Sequence, residues 1–262
     1  MKTDPATTPK MPVLFVGHGS PMNALEDNEF SRAWAGLGAA LPQPRAILCV
    51  SAHWETDGTR VTAMPKPKTI HDFWGFPPDL YKKLYPAPGS PEWAKTTRGT
   101  IRSTTVEPDM SWGLDHGTWS VLCRMFPAAD VPVFQLSLDR KLPPRRHYEI
   151  GRELAPLREQ GLLIVGSGNL VHNLGMMEWT DKAFDWAAEF DSKVAALIGK
   201  HDHDALIRYE ALGPGAALAI PTNEHYLPML YALALQGKDE PLDFFTEKVV
   251  LGSISMRGFR IG

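Results

Sequence analysis

Four short apolar runs punctuate the chain: "PVLFVG" at 12–17, "AILCVS" at 46–51, "VPVFQLSL" at 131–138 and "LLIVGSG" at 162–168. Each is rich in Val, Ile, Leu or Phe and uncharged throughout, the signature of a strand covered on both faces. Between them the apolar positions change to a helical period. "NEFSRAWAGLGAAL" (28–41) follows the first run. "SPEWAKTTRGTI" (90–101), with Ser90 as its N-cap, and "TWSVLCRMF" (118–126) separate the second run from the third. "RRHYEIGRELAPLREQ" (145–160) leads into the fourth. There Ile150, Leu154 and Leu157 share one face despite Pro156, and His147 is expected to face solvent. Beyond residue 180, "KAFDWAAEFDSKVAALIGK" and "HDALIRYEAL" read as helices, and "EHYLPMLYALALQ" as an apolar helix beginning near Asn223. "VVLGSISMRGFRI" alternates like a strand returning to a sheet.

Strands alternating with helices predict one α/β domain over 11–262, with a central mixed, largely parallel sheet flanked by helices. The polar, Pro-containing residues 1–10 are expected to be a disordered lead-in. In this fold class ligands bind beyond the carboxyl ends of the strands. The loop-rich stretch from Glu55 to Trp112, with Pro65, Pro67, Pro77 and Pro78, is suited to build or cover such a site.

Composition narrows the partners. With 27 basic and 30 acidic residues, a net charge of −3 and no basic run, the chain lacks the footprint of a nucleic-acid binder. No stretch approaches the length of a membrane span. Cys49 and Cys123 sit in apolar contexts and suit a reducing cytoplasm better than a disulfide framework.

The nine histidines carry the chemistry. His18 follows the first strand in "VGHGSP", His53 the second in "VSAHWE", and His172 the fourth in "GSGNLVHN". If those strands are parallel, the three rings converge on one rim of the sheet. His116 sits in "WGLDHGTW", after Asp115 and at the start of a helix. His225 sits in "PTNEHYLP", in the first turn of the apolar helix, where the dipole favours neutral imidazole. His71, in "TIHDF", is read as capping a turn, and "HDHD" at 201–204 as an N-cap cluster joining two helices. Three imidazoles with open positions beside them suit a catalytic zinc or non-haem iron, and a fourth is free for proton transfer. "GHGSP" lacks the spacing of a serine nucleophile elbow, and "GSGN" is neither a dinucleotide nor a Walker loop.

"FVGHGSPMNALEDN", "VSAHWET", "TIHDFWGFP", "LYPAPGSP", "GLDHGTWSVL", "GSGNLVHNL", "TNEHYLPMLYALA" and "GSISMRGFRIG" together resemble the class III extradiol ring-cleavage dioxygenases, in the 4,5-DOPA extradiol branch. The resemblance runs in order from Met11 to Gly262. It implies a single metal at the sheet's rim, held by His18, His53 and His225, with His172 beside it and able to reach a bound zinc. It further implies Fe(II) for activity, with Zn(II) able to occupy the same site, and a catechol and O₂ as reactants. His172 would take a catechol proton and later return it, and His116 with Asp115 would contribute to the substrate pocket. Other class III enzymes use two histidines and a glutamate; here His225 stands in preference to Glu224. The implied product is a ring-opened semialdehyde acid, made by a monomer or small homo-oligomer. Two other readings use the same histidines: a zinc-dependent hydrolase, and a metal-binding scaffold without turnover.

Overall fold

The four apolar runs become strands of one eight-stranded sheet in a computed structural model that describes residues 10–180 and 182–262. The lead-in, Lys10 apart, lies outside the described residues. In chain order the strands are β1 (Val13–Gly17), β2 (Ala46–Thr56), β3 (Thr59–Thr62), β4 (Lys68–Thr69), β5 (Val106–Asp109) and β6 (Gly113–Leu114). They continue with β7 (Val133–Asp139), β8 (Leu162–Gly168), β9 (Leu242–Phe245), β10 (Val249–Val250), β11 (Ile254–Ser255) and β12 (Gly258–Ile261). The large sheet has the order β5-β3-β7-β2-β8-β1-β12-β9. Its centre, β7 to β1, is parallel. β12 and β9 close one edge in antiparallel fashion, and β3 pairs antiparallel with β7 on the other side. The molecule is therefore a single α/β domain with a mixed, mostly parallel sheet flanked by helices.

Every residue of β1, β7 and β8 is buried, as uninterrupted apolar runs require when helices cover both faces. Alternate side chains divide between two cores. Leu14, Val16, Ile47 and Leu163 meet Trp34 and Trp119 from the helices Glu29–Ala40 and His116–Met125. Val13, Phe15, Leu48 and Ile164 meet the helix Leu227–Leu233 together with Ile150 and Leu154. The last apolar stretch is not one strand. It forms the β10–β11 hairpin, turns at Leu251 (φ 51) and Gly252 (φ 77), and only then enters the sheet as β12.

The helical stretch 145–160 divides into Pro144–Glu153 and Ala155–Arg158. Pro156 has no N–H to continue the ladder and fits only the first turn of a new helix. His147 corrects the expectation of a solvent-facing ring: it is completely buried, with Nδ1 3.1 Å from the Tyr231 hydroxyl. The reason is visible in the period, because 147, 150, 151 and 154 are all one helical face. That face packs against the helix Leu227–Leu233, so closely that a side chain on Gly151 would lie 2.9 Å from the Tyr231 Cα.

Burial pushes the His147 imidazole down to about 4. The unfolded chain then binds the extra proton first, so this residue costs nothing above pH ~6.5 and destabilises progressively as pH falls toward ~4. The cost at pH ~4.5 is roughly 2–3 kcal/mol. Urea denaturation of His147→Gln, which cannot titrate but keeps a partner for Tyr231, should show a stability loss between pH 7.5 and 4.5 smaller than wild type by that amount. Equal losses in both proteins would contradict the assignment.

Candidate metal centre

The carboxyl ends of β1, β8 and β2 lie side by side, with Gly17 opposite Gly168 and Ser51 opposite Ser167. His18 follows β1 directly and extends the ladder, donating its N–H to the Gly168 carbonyl at 3.1 Å. β2 runs past its expected end to Thr56, with a register shift between Val50 and Glu55, so His53 sits in an irregular part of the strand rather than after it. Such an irregularity re-aims a side chain at a strand end. His225 precedes the apolar helix instead of occupying its first turn, because that helix starts at Leu227 with Pro228 in the opening position that proline suits. The His225 carbonyl accepts the Asn169 N–H at 2.9 Å. This contact explains one glycine of "GSGN": a Cβ on Gly168 would lie 2.0 Å from that carbonyl oxygen.

The rings of His18, His53 and His225 form a nearly equilateral triangle, with centroids 5.0, 5.1 and 5.0 Å apart. One donor nitrogen from each lies within 4.8 Å of the others, and the Nε2 atoms of His18 and His53 are 3.0 Å apart. Hydrogen bonding fixes which nitrogens are bare. The Ser167 hydroxyl donates its single proton to the Gly117 carbonyl at 2.6 Å, so the contact at 3.0 Å must be His18 Nδ1–H donating to Ser167 Oγ. The Asn169 amide donates to the Ser255 carbonyl at 2.7 Å, so its oxygen receives His225 Nδ1–H at 3.1 Å. His53 Nδ1 faces the Asp72 carboxylate at 3.5 Å. The rings of His18 and His225 therefore keep an unprotonated Nε2; His53 presents one as well when its hydrogen sits on Nδ1, toward Asp72, and its Nε2 faces that of His18 at 3.0 Å. Burial, and then the neighbouring histidines, hold His18 and His225 well below the usual imidazole range, and burial does the same for His53. Neutral imidazoles whose lone pairs converge, with the Nδ1 hydrogens of His18 and His225 bonded and His53 Nδ1 facing a carboxylate, are the donor set a divalent transition-metal ion takes.

The other histidines fall around this triangle. His172 follows β8 as expected; its ring stacks on His225, 3.4 Å between centroids and 9° from parallel. It groups with Glu224 and His225 rather than with His18 and His53. Burial pushes His172 down to about 4, helped by His116. Glu224 accepts a hydrogen bond from Thr222 at 3.0 Å. It borders a cleft of ≈ 870 Å³ whose lining also includes Glu55, Tyr209, Ile220 and Asn223. His116 opens the helix His116–Met125, its ring 3.9 Å from that of His53. Asp115 is the N-cap of that helix. Its carboxylate takes the Thr118 N–H, the Ser51 hydroxyl at 2.7 Å and the Gln135 amide at 2.6 Å, and so ties β2, β7 and the helix together. His71 points elsewhere, with Nε2 2.9 Å from the Lys83 carbonyl oxygen, holding two loop segments together. In "HDHD", Asp202 caps the helix His203–Ile207, as expected.

Asp72, Ser167, Asn169 and Gln135 are the polar residues that reading for histidines passed over. Asp72 is the most consequential. Burial opposes its charge, but His116 and His53 outweigh it and hold the carboxyl below its ordinary range. Its only signal in the sequence is its place beside His71 in a Pro-bounded loop. The only signal of Ser167 and Asn169 in the sequence is their place in "GSGN", at the end of the fourth apolar run.

The sequence matches the family model described as the catalytic LigB subunit of aromatic ring-opening dioxygenase over residues 9–258. A protein of Escherichia coli strain K12 named 4,5-DOPA dioxygenase extradiol is 47% identical over 259 residues, covering 97% of this chain and 95% of that protein. A Beta vulgaris protein of the same name is 39% identical over 234 residues, covering 86% and 87%. The crystal structure of an uncharacterized Escherichia coli K12 protein superposes with a TM-score of 0.85 at 43% identity, covering 96% of this chain and 100% of that one. Matched along nearly its whole length, the chain belongs to the family of the catalytic LigB subunit of aromatic ring-opening dioxygenases.

Proposed function

We propose that the protein is a non-haem, metal-dependent extradiol dioxygenase that inserts both atoms of O₂ into a DOPA-like catechol ring and opens it to a semialdehyde acid. The observation that carries this reading is the triangle of His18, His53 and His225, three neutral imidazoles whose Nδ1 atoms are engaged. Relatives of similar length carry the name 4,5-DOPA dioxygenase extradiol, which supports the substrate class.

The metal fits on the chemistry of the donors. With the hydrogens of His18 and His53 on Nδ1, their bare Nε2 atoms 3.0 Å apart would repel unless a cation lay against them, and neither ring gains an extra proton easily in this buried setting. Fe(II) held there supplies a common seat for catechol and O₂ and a path for charge from ring to O₂; Zn(II) takes the same donors but has no redox chemistry. His172 is neutral at working pH, and no hydrogen bond occupies its ring nitrogens among the described residues. It accepts the proton of a catechol hydroxyl, becoming imidazolium. Because burial disfavours that charge, it returns the proton readily to an oxygen of the opening ring. Stacking on His225 keeps the ring beside the metal seat without adding it to the triangle. His116, whose ring lies 3.9 Å from that of His53, offers a second polar contact for the substrate.

Reconstitution with Fe(II) without oxygen, followed by a catechol and then air, should consume O₂ and form a yellow ring-opened product. No O₂ uptake with any catechol tried would sink the dioxygenase reading. The roles separate by mutation. His172→Ala should retain its iron and lose about 10²–10⁴-fold in kcat, the usual worth of a positioned proton-transfer group. His18→Ala, His53→Ala and His225→Ala should fail to retain iron after gel filtration. Equal loss of iron in His172→Ala would make that residue a ligand instead.

A further inference from the structure

One carboxylate faces two of the clustered rings. Asp72 Oδ1 accepts the His116 backbone N–H at 2.9 Å and lies 3.0 Å from His116 Nδ1; Oδ2 lies 3.5 Å from His53 Nδ1. An ionised carboxylate only accepts hydrogen bonds, so a lone pair turned toward it at these distances is repelled. The carboxylate's field therefore favours the hydrogen on Nδ1 of both imidazoles, through close contacts that lack the alignment of full hydrogen bonds, and both rings then present a bare Nε2. That of His53 lies 3.0 Å from His18 Nε2, within hydrogen-bonding distance, and the polar contact of the His116 ring is made through Nδ1, to Asp72.

The loop holds Asp72 firmly in place. The β4–β6 ribbon pairs Thr69 with Leu114, and the Trp119 indole donates to the Ile70 carbonyl at 2.8 Å. On either side of Asp72, His71 is tied to the Lys83 carbonyl at 2.9 Å and the Phe73 ring packs edge-on to His116 at 5.5 Å. A plain capping role for Asp72 is already met at this helix by Asp115, whose side chain takes the Thr118 N–H at 3.1 Å. Capping leaves unexplained why the second oxygen faces His53.

We propose that Asp72 is a positioning residue that sets two tautomers at once, turning His53 Nε2 to the metal and leaving His116 Nε2 free to accept a hydrogen bond from a substrate hydroxyl. The metal half rests on the dioxygenase reading above; the tautomers themselves require no metal. Second-sphere carboxylates of this kind orient ligand imidazoles and are usually worth 10–100-fold in metal affinity.

Asp72→Asn separates positioning from capping. Its Oδ1 still accepts the His116 N–H, while an amide nitrogen replaces the oxygen facing His53 and turns an acceptor into a donor. Long-range ¹H–¹⁵N imidazole spectra of the metal-free full-length wild type should show His53 and His116 protonated on Nδ1; in Asp72→Asn, His53 should switch to Nε2–H. Competition against a chromogenic chelator should show Zn(II) binding 10–100-fold weaker in Asp72→Asn, with circular dichroism and Tm close to wild type. Nε2–H on His53 in the wild type overturns the proposal without any variant, so a misfolded Asp72→Asn does not shelter it. Zn(II) affinity in Asp72→Asn within twofold of a normally binding wild type overturns the role of Asp72 alone. A wild type that binds no Zn(II) overturns the metal reading and takes the metal half of this proposal with it.

Discussion

Three uncharged imidazoles aimed at one another need three acceptors behind them. Without Ser167, Asn169 and Asp72, any ring could adopt the other tautomer and point N–H at its neighbour, and the donor set would vanish. Much of the architecture exists to supply those acceptors. Ser167 and Asn169 stand two residues apart at the end of β8, so both project to the same side, one toward His18 and the other toward His225. Each is itself held by a backbone carbonyl, of Gly117 and Ser255 respectively, which leaves it a single way to serve its histidine. In a buried setting an acceptor with only one choice specifies structure, and one left unpaired costs about 1–3 kcal/mol.

The parallel register supplies the rest. Gly17 opposite Gly168, and Ser51 opposite Ser167, bring the ends of β1, β8 and β2 level, so residues just past each strand end meet in one place. The approach is close enough to forbid side chains: a Cβ on Gly17 would lie 2.6 Å from the Met256 backbone, as one on Gly168 would strike His225. Glycines that look like loop residues in the sequence are thus packing residues, admitting the chain of β11–β12 on one side and the His225 turn on the other. The antiparallel return of β12 beside β1 helps seat Met256 there.

Much of this was legible in the chain. Uncharged runs marked all four central strands, three of them within two residues at each end, since burial on both faces leaves a continuous apolar stretch, and strands delivering histidines at their ends placed the rim. Three features were not legible, each for a physical reason. The extension of β2 through His53 depends on a register shift against β7 that no local pattern encodes. The start of the helix at Leu227 is set by Pro228 and by the carbonyl of His225 being taken by Asn169, a contact 56 residues distant in sequence. Asp72 reaches the site from a loop whose course is fixed by Trp119 and Lys83, so only tertiary structure reveals what its carboxylate faces.

His147 supplies the contrast that defines the site. It is buried, it is held below the normal imidazole range by that burial, and its Nδ1 has a hydroxyl partner, just as His18 has. Depressed basicity therefore does not distinguish a metal-binding histidine from one that packs a helix against a helix. What differs is where the second nitrogen looks. The ring beside His147 is Tyr231, and no second imidazole approaches it among the described residues. His18 has two further rings of the triangle about 5 Å away, each oriented by a separate acceptor. Burial makes an imidazole neutral. Only the convergence of independently oriented lone pairs makes neutral imidazoles into a place for a cation, and that convergence follows from strand register and the acceptors behind the rings.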